Sequence, residues 1–222
     1  MLTAQADFQD TRSVAYRMRS RRMRHFLELL DATPKPVKLL DVGGSIKFWK
    51  ILGLAGRDDI EFTILNIVPA DDNDDRFRYL QGDARDLSRF DDGQFDIVFS
   101  NSVIEHVGGW EDQQRMAREV RRVGRRYFVQ TPNRYFLLEP HFLVPGFQFF
   151  PVSLRSWMVS SFDVGWYKRI PDKAAARREV ESISLLSKEQ LRTLFPDASI
   201  YNERFLGLSK SFVAFGGWRQ KK

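Results

Sequence analysis

Two of the three histidines follow apolar, strand-like runs. His106 ends Ile104-Glu-His106, behind Phe95–Ser100, and His141 ends Glu139-Pro-His141, behind Tyr127–Gln130. Ligands of open α/β sheets bind outside the carboxyl ends of the strands. An imidazole there is a candidate general base, because histidine exchanges its proton near neutral pH. Structural roles compete with this reading: His106 capping a helix, His141 bonding a neighbour such as Glu139. His25 lies in an Arg-rich stretch and reads as a surface residue.

A second group of residues has the types and order of a nucleoside-binding edge. In Leu39-Leu-Asp-Val-Gly-Gly-Ser45, glycines stand where a strand turns into a helix, so backbone N–H groups can approach a ligand unobstructed. Asn66 ends the next apolar run, the place where a polar side chain holds ribose hydroxyls in such folds. Gln81-Gly-Asp-Ala-Arg-Asp-Leu87 follows, and then Phe95-Asp-Ile-Val-Phe-Ser-Asn-Ser-Val-Ile-Glu-His-Val107.

These residues need elements to position them, and the hydrophobic pattern supplies them. Strands are expected at 37–42, 61–68, 77–80, 95–100 and 127–130, and helices around 11–32, 48–54 and 110–124. The first helix gathers Met23, Phe26, Leu27 and Leu30 on one side, while its Arg-rich start reads as wet. Ser187 is an N-cap signal for a helix running to Phe195, and 199–205 and 211–215 read as a closing hairpin. Apolar strands alternating with helices predict a parallel sheet covered on both faces.

The chain has 222 residues, a 43% hydrophobic share with 19 Phe and 5 Trp, and no internal repeat. One α/β domain is expected over 1–222: a basic helix at 1–33, a ligand-binding core at 37–131 and an acceptor-side insertion or lid at 132–196. The absence of cysteine excludes disulfides, thiolate metal sites and cysteine nucleophiles. No apolar run approaches twenty residues and no signal segment is visible, so a soluble, cytoplasmic protein is expected. The charge of +6 is uneven: Arg12, Arg17, Arg19, Arg21, Arg22 and Arg24 crowd the N-terminal segment, while Asp71, Asp72, Asp74 and Asp75 form an acidic loop. No His/carboxylate spacing in the sequence reads as a metal site.

In its motifs from 37 to 131 the chain resembles the class I S-adenosylmethionine-dependent methyltransferases, specifically the small-molecule group. The resemblance implies a Rossmann-like α/β fold: seven strands, mostly parallel, with helices on both faces and a C-terminal antiparallel hairpin. It implies S-adenosyl-L-methionine as donor, with S-adenosyl-L-homocysteine as product and no metal. By the resemblance, Asp41, Gly43, Gly44 and Ser45 line the methionine moiety and Asn66 faces the ribose. Asp83 with the Ala84 backbone holds the adenine, and Asn101 with Ser102 closes the pocket above the sulfonium. The chain departs from the pattern at Ser45, usually glycine, and at Asn66, usually acidic; the nearby Asp71 and Asp72 are possible substitutes.

The expected reaction is methyl transfer to a small molecule, with oxygen as acceptor atom and His106 or His141 as base. The aromatic, Pro-rich stretch 142–151 could be a lid, core packing, or a surface meeting a membrane or lipid-linked substrate. The rivals are an RNA-modifying methyltransferase motivated by the Arg-rich helix, a nicotinamide-dependent dehydrogenase, and a non-catalytic S-adenosylmethionine binder. The helix lacks the interleaved aromatics of a base-stacking surface, so nucleic acid is not the expected partner. Gly43-Gly44-Ser45 falls short of a G-x-G-x-x-G turn, which disfavours the dehydrogenase.

Overall fold

The computed structural model describes residues 14–70, 72–138 and 141–218, with side chains of the first helix described from Arg19 onward. Helix α1 (Val14–Asp31) precedes β1 (Val37–Val42), α2 (Ile46–Ile51), β2 (Ile60–Asn66), β3 (Phe77–Gln81) and β4 (Ile97–Asn101). Then come α3 (Trp110–Val123), β5 (Tyr127–Pro132), α4 (Val152–Ser161), α5 (Lys173–Glu181), α6 (Lys188–Leu194), β6 (Ser199–Phe205) and β7 (Leu208–Gly216).

The seven strands form one sheet in the order β3-β2-β1-β4-β5-β7-β6. Strands β1 to β5 run parallel, and β7 pairs antiparallel with both β5 and β6. This is the expected Rossmann-like sheet with its terminal hairpin. The chain leaves β1 toward β2 and returns on the other side as β4, so a crevice opens at their carboxyl ends. Register sets the strand ends side by side, with Asp41 opposite both Ile64 and Phe99, Asn66 opposite Gln81 and Asn101 opposite Gln130.

Alternation along the strands feeds two cores. One face packs Met23, Phe26 and Leu30 of α1 and Trp49 of α2 over Leu39, Ile64, Phe99 and Phe128. The other packs Met116, Val120 and Val123 of α3 with Leu191 and Leu194 of α6 over Leu40, Val42, Val98 and Val129. A third, smaller core, of Phe142, Phe147, Val159, Val164, Ala176 and Val180, belongs to the segment between β5 and α6.

Several boundaries differ from the sequence expectation for local reasons. Helix α2 starts at Ile46, not Phe48, because the Ser45 hydroxyl caps it by accepting from the Phe48 N–H at 3.2 Å. Strand β2 ends at Asn66, leaving Ile67 and Val68 exposed beyond it. The Ser187 cap is present as a full capping box with Gln190. The Arg-rich helix is not wet throughout: Arg22 is buried, and its Nη1 donates to Glu203 at 3.2 Å, while the Ser211 hydroxyl donates to the same carboxylate oxygen. Nor is His25 a plain surface residue, since its ring packs on Phe128, Tyr201 and Phe215. Arg12 and Asp71 lie outside the described residues, as does the Arg17 side chain.

Phe26 ties α1 to the sheet through ring contacts with Trp49, Phe99 and Phe128. Phe26→Ala is expected to cost about 3–5 kcal/mol, measured as a lower urea midpoint; an unchanged midpoint would mean α1 adds nothing to the core.

Candidate active site

Asp41 is the one acidic residue of β1, and it is 1% exposed. One carboxylate oxygen, Oδ2, accepts from the indole N–H of Trp49 at 2.7 Å; the other, Oδ1, is buried without a hydrogen-bond partner. Burial pushes the carboxyl up to about 7, against the opposing pull of the Trp49 bond. The glycine turn wraps this group closely: a Cβ on Gly44 would lie 1.6 Å from Oδ2. Gly43 is held at φ +78°, its N–H donating to Leu65 O at 2.7 Å, and a Cβ there would strike Val103.

Two adjoining cavities open along this turn. The first, about 180 Å³, is lined by Asp41, Gly43, Gly44, Ser45, Phe48, Asn66, Phe99 and Asn101. Asn101 contributes a second buried oxygen, Oδ1, with no hydrogen-bond partner. The second cavity, about 140 Å³, is lined by Gly43, Asn66, Asp83, Ala84, Val103 and His106 among others. Gly43 and Asn66 border both, so the pair forms one interrupted groove with Asn66 at its middle.

The expected residues therefore converge, with qualifications. Asn66 does not simply point at a ligand: its amide donates to Gly44 O at 2.8 Å and braces the turn. Asp83 is gripped by Arg85, whose Nε and Nη2 lie 3.0 and 2.6 Å from Oδ2, and this pairing holds its carboxyl below the usual range. Ser102, at φ 57°, donates its hydroxyl to Gln130 Oε1 at 2.8 Å and lines neither cavity. Asp72 is drawn away to Lys50 at 2.8 Å.

His106 and His141, 35 residues apart, meet with Nε2···Nε2 at 3.0 Å and rings at 85°. Glu105 beside His106 is fully buried, and its Oε2 accepts from the Thr131 hydroxyl at 2.9 Å. Ligand atoms of Glu105, His106 and His141 all lie within 4.8 Å of one another, a grouping able to share a proton or hold a cation. The sequence placed both histidines at the carboxyl edge of the sheet, but nothing in it joined Glu105 to them. Glu139, offered as a partner for His141, lies outside the described residues. Phe48, Trp49 and Phe99 also went unnoticed as site residues; a buried donor one helical turn after a glycine turn was the available signal.

Residues 58–127 match the family described as methyltransferase domain. The uncharacterized protein Rv1509 of Mycobacterium tuberculosis is 29% identical over 133 residues, covering 54% of this chain and 44% of the relative. The chain thus spans less than half the length of that curated relative. Among solved structures, the PH0226 protein from Pyrococcus horikoshii shares 21% identity at a TM-score of 0.54, over 94% of this chain and 93% of its own. A SAM-dependent methyltransferase from Methanosarcina mazei shares 15% at a TM-score of 0.50, over 84% and 95%. The family match is confined to residues 58–127, and the two solved structures share the chain's fold, a Rossmann-like sheet closed by an antiparallel hairpin.

The Asp41 carboxyl should leave a pH signature on stability. Its folded value is raised from 3.8 to about 7, so the folded chain retains a proton that the unfolded chain loses. Stability from this group falls as pH rises through that window and levels off above it. Without ligand, wild type is expected to lose a few °C of melting temperature relative to Asp41→Asn between pH 4 and 7; parallel melting curves for the two would refute the assignment.

Proposed function

We propose that the chain transfers the methyl group of S-adenosylmethionine to a hydroxyl of a small molecule, with the His106–His141 pair accepting the proton. The observation that carries the reading is the floor of the first cavity. Asp41 Oδ1 and Asn101 Oδ1 are buried acceptors without donors, beside a glycine whose Cβ position is already filled. Such orphaned oxygens call for a ligand that brings N–H groups, and the α-ammonium of a methionine moiety supplies them. The neighbouring cavity, with Asp83 and the Ala84 backbone, suits an adenine, and Asn66 between the two suits the ribose.

When bound, S-adenosylmethionine supplies an activated methyl on sulfur, so alignment of the acceptor is the protein's main task. A hydroxyl also has to lose its proton. His106 lines the cavity on the donor side, and His141, from the segment after β5, contacts the His106 ring. With the two Nε2 atoms in contact, a proton taken by one ring passes readily to the other. A base positioned in this way contributes ~10²–10⁴-fold. The exposed aromatics Tyr135, Phe149, Trp157, Phe162 and Trp166 belong to that same segment and support delivery of an acceptor from a membrane or a lipid carrier. An RNA acceptor draws less support, because Arg22 is directed inward to Glu203.

Calorimetry with S-adenosylhomocysteine is the first test. Binding is expected, with tenfold or greater loss in Asp83→Ala and an affinity that rises with pH through about 7 in wild type but stays flat in Asp41→Asn. No binding at any pH would remove the donor reading. With a hydroxyl acceptor found by mass-spectrometric screening, His106→Asn and His141→Asn are each expected to lower kcat ~10²-fold or more, without loss of S-adenosylhomocysteine affinity. Activity should survive EDTA; its collapse there, with recovery on adding a divalent cation, would make Glu105, His106 and His141 a metal site instead.

A further inference from the structure

A third cavity, of about 300 Å³, lies outside the cofactor groove. Its polar lining comes from Arg134 and Arg155 and from Gln113, Gln148 and Gln190, and Trp110 stands 37% exposed at its edge. Phe142 and Phe147 supply an apolar wall, and no acidic side chain among the described residues lines it.

Its position is set by bonds to the turn that carries His106. Gln113 Nε2 donates to Ile104 O at 3.2 Å and to Ser184 O at 2.7 Å, and the Ser184 N–H donates to Glu105 O at 2.7 Å. Phe142, next in sequence to His141, lines it directly. The cavity wall thus meets the His pair at two points: Phe142 follows His141 in the chain, and Ser184 is bonded to Glu105, the residue before His106.

Gln148 defines the chemistry most sharply. Its amide nitrogen donates to Arg134 O at 3.1 Å and to Phe136 O at 2.6 Å, which fixes the rotamer. Its Oε1 is then buried with no hydrogen-bond partner, an acceptor awaiting a donor such as a hydroxyl. Guanidinium groups, by contrast, only donate, and they match carboxylate or phosphate oxygens. The size is at the small end of ligand pockets.

We propose that this cavity is the acceptor site, and that the acceptor is a hydroxylated small molecule carrying an anionic group, carboxylate or phosphate. Gln148 Oε1 receives a hydroxyl, Arg134 holds the anion, and a further hydroxyl is presented to the His pair. The proposal rests on the methyl-transfer reading for its role as acceptor site, but the site's binding chemistry can be tested by itself.

The test is calorimetric titration of the full chain, saturated with S-adenosylhomocysteine, with glucuronate, glucose 6-phosphate and glucose as probes. At least one of the two anions is expected to bind tenfold or more tightly than glucose. Which of them binds separates a carboxylate from a phosphate acceptor. Arg134→Gln should erase that preference and Arg134→Lys should keep part of it, while both retain wild-type affinity for S-adenosylhomocysteine. Equal binding of glucose and the anions, no binding of either anion, or an unchanged preference in Arg134→Gln overturns the proposal. If S-adenosylhomocysteine itself fails to bind, the donor reading falls, and the same titration without it still decides the chemistry of the cavity.

Discussion

A carboxylate buried in a parallel strand is the constraint from which the site follows. Strand β1 is covered on both faces, so its interior favours apolar side chains, and Asp41 stands there with a single donor, the Trp49 indole. To deliver that indole, α2 has to begin at once, which the Ser45 cap ensures. To leave room for the carboxylate, the backbone has to pass without a side chain at Gly44. The unsatisfied Oδ1 stays as a cost in the empty site, and a ligand bearing N–H groups offsets it. The unfavourable feature of the free protein is thus the one that suits the cavity floor to such a ligand.

The short turn Ile104–His106 is the second organising element, because it stands between two kinds of recognition. On one side His106 faces the groove of glycines and Asp83; on the other the carbonyls of Ile104 and Glu105 are tied to Gln113 and Ser184 in the wall of the larger cavity. Glu105 within the turn is buried and bonded to Thr131, which fixes the turn to β5. The segment from 142 to 180 has its own small core, so it can carry His141 and the aromatics without altering the sheet. That division separates the groove at the strand ends from the layer between β5 and α6.

Charge in the sequence was a poor guide to charge in the structure. Arg22 belongs to an Arg-rich run that reads as a solvated or nucleic-acid-binding face, yet it is buried against Glu203, 181 residues away. Lys50 likewise gathers Asp72 and Asp74 from the acidic run. Net charge says what a chain can attract; partners far along the chain decide which charges remain available.

The sequence by itself determined the sheet, the order of elements along the chain and the polar and glycine residues at the strand ends. Period-two and 3.6-residue patterns, a glycine turn and a Ser cap are local, and local rules place Asp41, Gly43, Gly44, Ser45, Asn66, Asp83 and Asn101 at strand ends that register then aligns. What only the tertiary structure decided are the relations between distant segments: the contact of His106 with His141, the Arg85 grip on Asp83 shared with Asp112 of α3, the inward turn of Arg22, and a cavity assembled from α3, the β5 loop, α4 and the approach to α6. Ser102 illustrates the limit at close range, since its place in the sequence put it in the pocket and Gln130 of the adjacent strand drew its hydroxyl out. Hydrophobic periodicity records which face of an element is covered but not which partner covers it, and side-chain hydrogen bonds go to whichever partner the completed packing brings within about 3 Å.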